Sequence, residues 1–305
     1  MNLDLELQLD IAFHVSAVVA DPTPEALAAV LPRLREAGYR RAVLPPLDPA
    51  STDAAALRRA FEEADIAPIA MTGQAPGADV SSADEAERRE GAAALRGAVA
   101  FAAALGADQL NGVPYGLFGP PGAPTPRAAL ERAAREVGAV ADEASDRGIT
   151  MTFEVLNRYE TSAINTAAQA LEFVELSGSR SLGIHLDTYH MAIEEADMAA
   201  AIRDALPRLA YLELGQSGRG FLSTGVVDIP KVVQQTLDEG YTGRWGVEAF
   251  SRPLVGDGAG DMLAIWRAPY DDGLELAADA VRVIRRGWAE SAAGRRAQRL
   301  ARSGA

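Results

Sequence analysis

Four stretches of the sequence close on a carboxylate with the same spacing behind it. They are Thr150-Met-Thr-Phe-Glu154, Leu182-Gly-Ile-His-Leu-Asp187, Leu209-Ala-Tyr-Leu-Glu213 and Trp245-Gly-Val-Glu248. Side chains alternate along a β-strand, so an inward-facing last acid brings the residue two before it inward as well. This predicts an upper layer of Glu154, Asp187, Glu213 and Glu248 over a lower layer of Thr152, His185, Tyr211 and Gly246. The intervening Phe153, Leu186, Leu212 and Val247 are apolar and suit an outer helix layer. Four carboxylates that converge in a confined site cannot all stay ionised. Either protons are shared or a cation sits among them. An oxygen-rich set in a chain without cysteine favours a hard divalent ion such as Mn²⁺ or Mg²⁺. For a single acid, a strand-end salt bridge or a helix cap is the alternative. Four acids in one register argue against that alternative for the set.

The acids need a frame that brings several strand ends together. Short β-like apolar runs begin near Ile11, Arg41, Ile66, Gln109, Thr150, Leu182, Leu209 and Trp245, and a helical pattern follows each. The first helix is typical. Thr23 caps it, Pro24 suits its first position, Leu27, Val30, Leu31 and Leu34 form one face, and Gly38 ends it. Eight βα units in one chain predict a single (β/α)₈ TIM barrel over residues 1–290. The long irregular segments 72–82, 111–126, 157–165, 215–227 and 249–272 all follow strands. That is the C-terminal face, where barrel enzymes carry their chemistry. The Gly/Pro-rich run 111–122 reads as a rim, a lid or a plain connector.

Composition narrows the function classes. The chain has 305 residues, 48% hydrophobic and 24% charged, with a net charge of −14. So acidic a surface repels phosphate backbones and anionic lipid, which predicts neither a nucleic-acid nor a membrane partner. The absence of cysteine removes disulfides, thiolate zinc sites and cysteine nucleophiles. Lys231 is the only lysine, so Schiff-base chemistry would rest on it alone, in a polar helix-like stretch. No leader is visible at Met1–Asp10, which alternates apolar and polar residues, and the expectation is a cytoplasmic protein. Residues 291–305 carry four arginines and no acid, leaving −18 on the rest of the chain. This basic C-terminal tail reads as a frayed helix end or a docked surface segment, with a subunit contact as the alternative.

Three runs carry a family resemblance. Phe153-Glu-Val-Leu-Asn-Arg-Tyr-Glu160, Ile184-His-Leu-Asp-Thr-Tyr-His-Met-Ala-Ile-Glu-Glu195 and Gly246-Val-Glu-Ala-Phe250 resemble the ketose 3-epimerases of the D-tagatose 3-epimerase type. These belong to the sugar phosphate isomerase/epimerase superfamily, with a xylose-isomerase-like barrel. The run Leu105–Tyr115 looks like that family's fourth strand, and Trp266-Arg267 resembles its late loop. The resemblance spans roughly residues 10–290. It implies one divalent metal, Mn²⁺ first, with Mg²⁺ or Co²⁺ as alternatives. Glu154, Asp187 and Glu248 match three of the family's ligands. The family's strand-seven histidine falls on Glu213, in Glu213-Leu-Gly-Gln216. Glu213 would either hold the ion through oxygen or, protonated, donate a hydrogen bond where an imidazole would coordinate.

The implied chemistry is proton transfer beside a ketone through an enediolate, with Glu154 and Glu248 as the catalytic pair on opposite faces. Glu160, His190 and Arg219 match family positions that bind the sugar around its carbonyl end. A helix-capping role is the alternative for His190, and a solvated one for Arg219. His185 reads as a supporting or core residue, and His14 faces either the barrel or the core. The implied partners are a small-molecule sugar and, as an open question, a second copy of the chain. Keto-sugar lyases or deglycosidases, dehydratases and aldose–ketose isomerases begin with the same proton abstraction and stay open. A sugar-binding barrel without catalysis is the reading from another class. A multi-zinc endonuclease barrel is excluded by three histidines and a charge of −14.

Overall fold

The computed structural model describes residues 9–303. The opening run Met1–Gln8, read above as free of a leader, lies outside the described residues. Eight parallel strands close into a barrel in sequence order. They are β1 (Ile11–His14), β2 (Arg41–Val43), β3 (Ala67–Gly73), β4 (Gln109–Val113), β5 (Thr150–Glu154), β6 (Gly183–Asp187), β7 (Leu209–Gly215) and β8 (Arg244–Glu248). The single (β/α)₈ barrel expected from the sequence is therefore the observed architecture.

Helices fill the outer ring: α1 (Pro24–Ala37), α2 (Ala54–Glu63), α3 (Glu85–Leu105), α4 (Arg127–Ser145) and α5 (Ala167–Ser177). They continue with α6 (Thr188–Glu194), α7 (Met198–Ala205), α8 (Ile229–Asp238), α9 (Arg252–Val255), α10 (Asp257–Met262), α11 (Gly273–Glu290) and α12 (Ala292–Ser303). In α1 the Thr23 hydroxyl accepts the Ala26 N–H at 3.2 Å, Pro24 opens the first turn, and Gly38 ends the helix at φ 111°. Leu27, Leu31 and Leu34 are its buried face, whereas Val30 is only half-buried. None of the helices among the described residues is long and apolar enough to cross a membrane.

The alternation of the strands divides the core in two. Phe153, Leu186, Leu212 and Val247 are fully buried between the barrel and the helices, as their positions require. Ala12, Val43, Ile69 and Tyr211 fill the lower barrel, with Met71 packed against them. At the opposite end from the acids, Arg41 bonds Asp10 at 2.8 Å and Asp108 at 2.6 Å, and Arg244 bonds Asp108 at 2.6 Å. This network closes the N-terminal mouth and ties together the entries of β1, β2, β4 and β8.

The basic tail is helical. In α12 the Ala292 N–H reaches the Asp238 carboxylate at 2.6 Å, and a Cβ at Gly294 would lie 2.0 Å from the Trp288 carbonyl oxygen. The tail thus packs closely on the ends of α8 and α11.

Candidate active site

The four strand-end acids all turn into the barrel and are buried: Glu154, Asp187, Glu213 and Glu248 are each 5% exposed or less. They do not form one hydrogen-bonded ring, which corrects the single-layer reading. Asp187 pairs with Glu213, but Glu154 pairs with His185, Glu213 with Gly246, and Glu248 with Gly215. Strands in a closed barrel tilt and stagger, so equal positions along neighbouring strands sit at different heights. A register shift between Ile184 and His185 adjusts β6 to β7.

The side chains converge nevertheless. Oxygens of Asp187, Glu213 and Glu248 lie within 4.8 Å of one another. So do ligand atoms of Glu154, Asp187 and His190, and of Glu154, His185 and Glu213. Two glycines make the room. A Cβ at Gly246 would stand 2.4 Å from the Tyr211 hydroxyl and 2.7 Å from Glu213 Oε1. A Cβ at Gly215 would stand 2.7 Å from Asp187 Oδ1. Asp187 also serves the backbone: its Oδ1 accepts the Tyr189 N–H at 2.9 Å and starts α6 with no intervening loop.

His190 is fixed in one tautomer. Its Nδ1 accepts the Asn157 backbone N–H at 3.1 Å, so the ring proton sits on Nε2. That Nε2 lies 3.3 Å from Glu154 Oε1, 3.7 Å from Asp187 Oδ2 and 3.9 Å from Glu160 Oε2. Burial holds the imidazole below its ordinary range, although Asp187 pulls the other way. A neutral imidazole therefore presents an N–H to the acids, and the capping alternative does not describe it. Glu160 is held by the Asn157 side-chain amide at 2.9 Å.

Arg219 comes from the loop after β7 with φ 54°, a left-handed conformation that a non-glycine residue adopts at a cost of roughly 1–3 kcal/mol. Gly218 and Gly220 flank it. The strained turn drives the guanidinium inward, where it bonds Glu248 and lies 3.3 Å from Asp187 Oδ2. It stacks on the Tyr189 ring at 3.7 Å and on Phe250 at 5.1 Å. Arg219 is only 9% exposed, so the solvated alternative does not hold. Tyr189, Phe250 and Asn157 are site residues that sequence reasoning left without a role. Their signal lay in the quoted runs, each within two residues of a singled-out acid or next to one of its neighbours.

His14 ends β1. Its Nδ1 accepts the Ser16 N–H at 3.4 Å, and its Nε2 stands 3.2 Å from Met71 Sδ and 3.9 Å from Glu248 Oε1. Burial lowers its basicity. His185 Nε2 lies 3.1 Å from Glu213 Oε2, in agreement with a supporting place beneath the acids.

The environment separates the carboxylates. Burial, with Glu248 and Glu160 adding, pushes Glu154 up to about 7 against the opposing pull of His185 and Arg219. Asp187 rises to about 6, again through burial. Glu213 rises well above the carboxylate range through burial and then through Glu248, Asp187 and Glu154. For Glu248 burial is outweighed by Arg219, with the histidines helping, and it stays below its ordinary value. In the metal-free site the environments of Glu154 and Glu248 thus push their acidities in opposite directions.

The donor set fits a divalent cation. Glu213 Oε1 is buried without a hydrogen-bond partner, and three carboxylates share the space with one guanidinium. Oxygens from Asp187, Glu213 and Glu248, with Glu154 beside them, match the preference of Mn²⁺ or Mg²⁺. Glu154 and Glu248 open into a cavity of about 510 Å³ on the C-terminal face, lined also by His14, Met71, Glu160 and Phe250.

Residues 31–286 match the xylose isomerase-like TIM barrel family. A ketose 3-epimerase from Arthrobacter globiformis is 40% identical over 261 residues, which cover 86% of this chain and 90% of the relative. An L-ribulose 3-epimerase from Mesorhizobium japonicum is 33% identical over 270 residues, 88% of this chain and 91% of the relative. A solved structure of L-ribulose 3-epimerase superposes with a TM-score of 0.88 at 32% identity, covering 96% of this chain and 98% of that one. The chain belongs to the xylose isomerase-like TIM barrel family, in its ketose 3-epimerase branch.

Proposed function

We propose that the protein is a divalent-metal-dependent ketose 3-epimerase that inverts the carbon next to a sugar carbonyl by proton transfer through an enediolate. The observation that carries this reading is the convergence of Glu154 and Glu248 on one cavity that also holds His190, Glu160 and Arg219. A divalent cation held by Glu154, Asp187, Glu213 and Glu248 would supply charge stabilisation to the developing enediolate oxygens. Mn²⁺ is the first choice, with Mg²⁺ and Co²⁺ as alternatives.

The residues divide the work. One glutamate takes the proton from the carbon on one face of the sugar, leaving a planar enediolate. The other delivers a proton to the opposite face, which inverts the centre. The reverse reaction exchanges the two roles. Glu248, ionised beside Arg219, begins as a base. Burial raises Glu154 to about 7 in the metal-free site, and a cation held there would favour its ionised form, so Glu154 too can begin as a base. His190 donates its Nε2 proton to a sugar oxygen, Glu160 accepts from a hydroxyl, and Arg219 donates to an oxygen at the carbonyl end. Tyr189 and Phe250 hold the guanidinium plane from its faces and limit water around it.

The test is deuterium uptake. Free ketohexoses and ketopentoses incubated in D₂O with Mn²⁺-loaded protein should gain deuterium at C3 and yield the C3 epimer. Epimer formation without exchange, or exchange at C1 with an aldose as product, would replace this reading with another chemistry of the same superfamily.

A further inference from the structure

Two chambers meet at the mouth of the barrel. The inner one contains Glu154, His190 and Glu248 and runs past His14 toward residues 45–49 and 73–75. A second chamber of about 310 Å³ lies on the other side, over the loops after β5, β7 and β8. Its walls include Tyr159, Met262, Trp266 and Pro269, with Asn157, Ser217 and Arg267 at polar positions. The two chambers share Phe118, Glu160, Arg219, Phe250, Met262 and Leu263, of which Glu160 and Arg219 are the polar members.

The outer chamber has the chemistry of a ring-binding surface. Tyr159 and Trp266 are each 67% exposed, so large aromatic faces stand in water beside the site. Trp266 is held from behind by Arg252, whose guanidinium lies 5.9 Å from the ring and is fixed by Asp257 at 2.9 Å and Asp261 at 2.6 Å. Tyr189 and Phe250 are already covered by Arg219, which leaves Tyr159 and Trp266 as the free faces. Aromatic faces beside a few polar groups suit a sugar ring, with apolar C–H edges for stacking and hydroxyls for the polar positions.

We propose that the outer chamber is a subsite for a second ring, and that it selects ketoses carrying a glycosyl substituent on O1. The position of attachment follows from the shared wall. Glu160 and Arg219 stand beside the reacting acids: Glu160 Oε2 is 3.9 Å from His190 Nε2, and Arg219 bonds Glu248. The inner chamber extends from the acids in the other direction, so the distal carbons of the ketose occupy it. An atom at the carbonyl end, held beside Glu160 and Arg219 at the polar part of the shared wall, points toward the outer chamber. This inference rests on the proposed ketose chemistry for its orientation.

The test uses two isomeric disaccharides, with glucose joined to O1 or to O6 of fructose, and fructose itself. Binding to Mn²⁺-loaded protein is measured by calorimetry, and exchange at C3 is followed in D₂O. The O1-linked isomer should bind about tenfold more tightly than the O6-linked isomer and than fructose. Trp266→Ala, and separately Tyr159→Ala, should erase most of that preference. Equal binding of the two isomers, exclusion of both, or an unchanged preference in Trp266→Ala would overturn the subsite. So would a shift in oligomeric state in Trp266→Ala, which would assign the aromatic face to a second copy of the chain. No exchange with any of the three sugars, with the O1 preference in binding intact, would overturn the epimerase reading and leave the subsite standing.

Discussion

His185 Nε2 and Glu213 Oε2 lie 3.1 Å apart in the closed interior of the barrel, both almost fully buried, while Glu213 Oε1 has no hydrogen-bond partner. One oxygen of Glu213 is thus anchored to β6, and the other lies unpaired beside Gly246. An anchored carboxylate with one free oxygen is arranged as a monodentate ligand. Removing its charge but not its shape isolates that role. Glu213→Gln should keep the fold and the contact to His185, and lower Mn²⁺ affinity by about 10–100-fold. Titration of the metal-free protein with Mn²⁺ by calorimetry reads it directly. Unchanged affinity would place Glu213 outside the ligand set and make it a protonated donor. Glu213→His, assayed the same way and against free ketohexoses, separates the two roles further, because an imidazole can coordinate without adding charge.

The contribution of Glu154 and Asp187 to the stability of the metal-free protein should fall as pH rises from about 4 to 7, read against a Glu154→Gln variant that lacks the Glu154 part. Glu154 is raised to about 7 and Asp187 to about 6, both through burial. The unfolded chain ionises these groups at lower pH than the folded one, so the folded state binds more protons across that window. That contribution is greatest below the unfolded values and falls until the folded values are passed, by an amount on the order of a few kcal/mol. A divalent cation favours the ionised forms, so added Mn²⁺ should flatten or reverse the trend. Thermal midpoints of both proteins between pH 4 and 8, with and without Mn²⁺, check both parts. A metal-free midpoint with the same pH dependence in the native protein and in Glu154→Gln would contradict the raised pKa of Glu154.

Arg219 bonds Asp187 and Glu248, two of the acids that would hold a cation. Removing the guanidinium should therefore leave a more negative site. Arg219→Met should bind Mn²⁺ several-fold more tightly and lose activity by about 10²-fold or more, because the donor at the carbonyl end is gone. Tighter metal with lower turnover is the diagnostic combination. Weaker metal binding would mean that Arg219 organises the ligands.

The strand-end acids and the eight βα units were legible because both rest on local pattern. Period-two alternation placed Phe153, Leu186, Leu212 and Val247 outward, and Thr23, Pro24 and Gly38 marked the first helix. The stagger of the acids was not legible, because register between strands depends on tilt around the closed barrel. The immediate start of α6 was hidden for a related reason. Asp187 reads as the last residue of a strand, yet the same carboxylate caps the next helix. The Arg219–Glu248 contact joins the loop after β7 to the end of β8 and has no local signature beyond the two glycines that flank Arg219. The aromatic clamp of Tyr189 and Phe250 became visible only once Arg219 was seen between them.

Gly246 tests whether the space beneath Glu248 is required. Its missing Cβ leaves room for the Tyr211 hydroxyl and for Glu213 Oε1. Gly246→Ala should displace both groups and destabilise the fold by about 1–3 kcal/mol. Mn²⁺ affinity should fall with it, since rotation of Glu213 is the cheapest relief of the contact. A stable Gly246→Ala protein with native metal affinity would show that the inner layer is looser than its contacts imply.

The last prediction separates the two proton-transfer glutamates. Glu154→Gln and Glu248→Gln should each fold and each lose turnover by about 10²–10⁴-fold, toward the upper end because both carboxylates also face the cation. They should differ in partial reactions. Each epimer of a pair presents its C3 proton to one glutamate only. With Glu154 removed, the epimer that faces Glu248 can still lose its proton to solvent deuterium, though it cannot invert. With Glu248 removed, the other epimer keeps that ability. Exchange at C3 without epimerisation, in opposite epimers for the two variants, is the expected pattern. It is measured by NMR on each purified epimer in D₂O with Mn²⁺ present. The same epimer exchanging in both variants would mean that a single base serves both faces. Full turnover in either variant would remove that glutamate from the reaction.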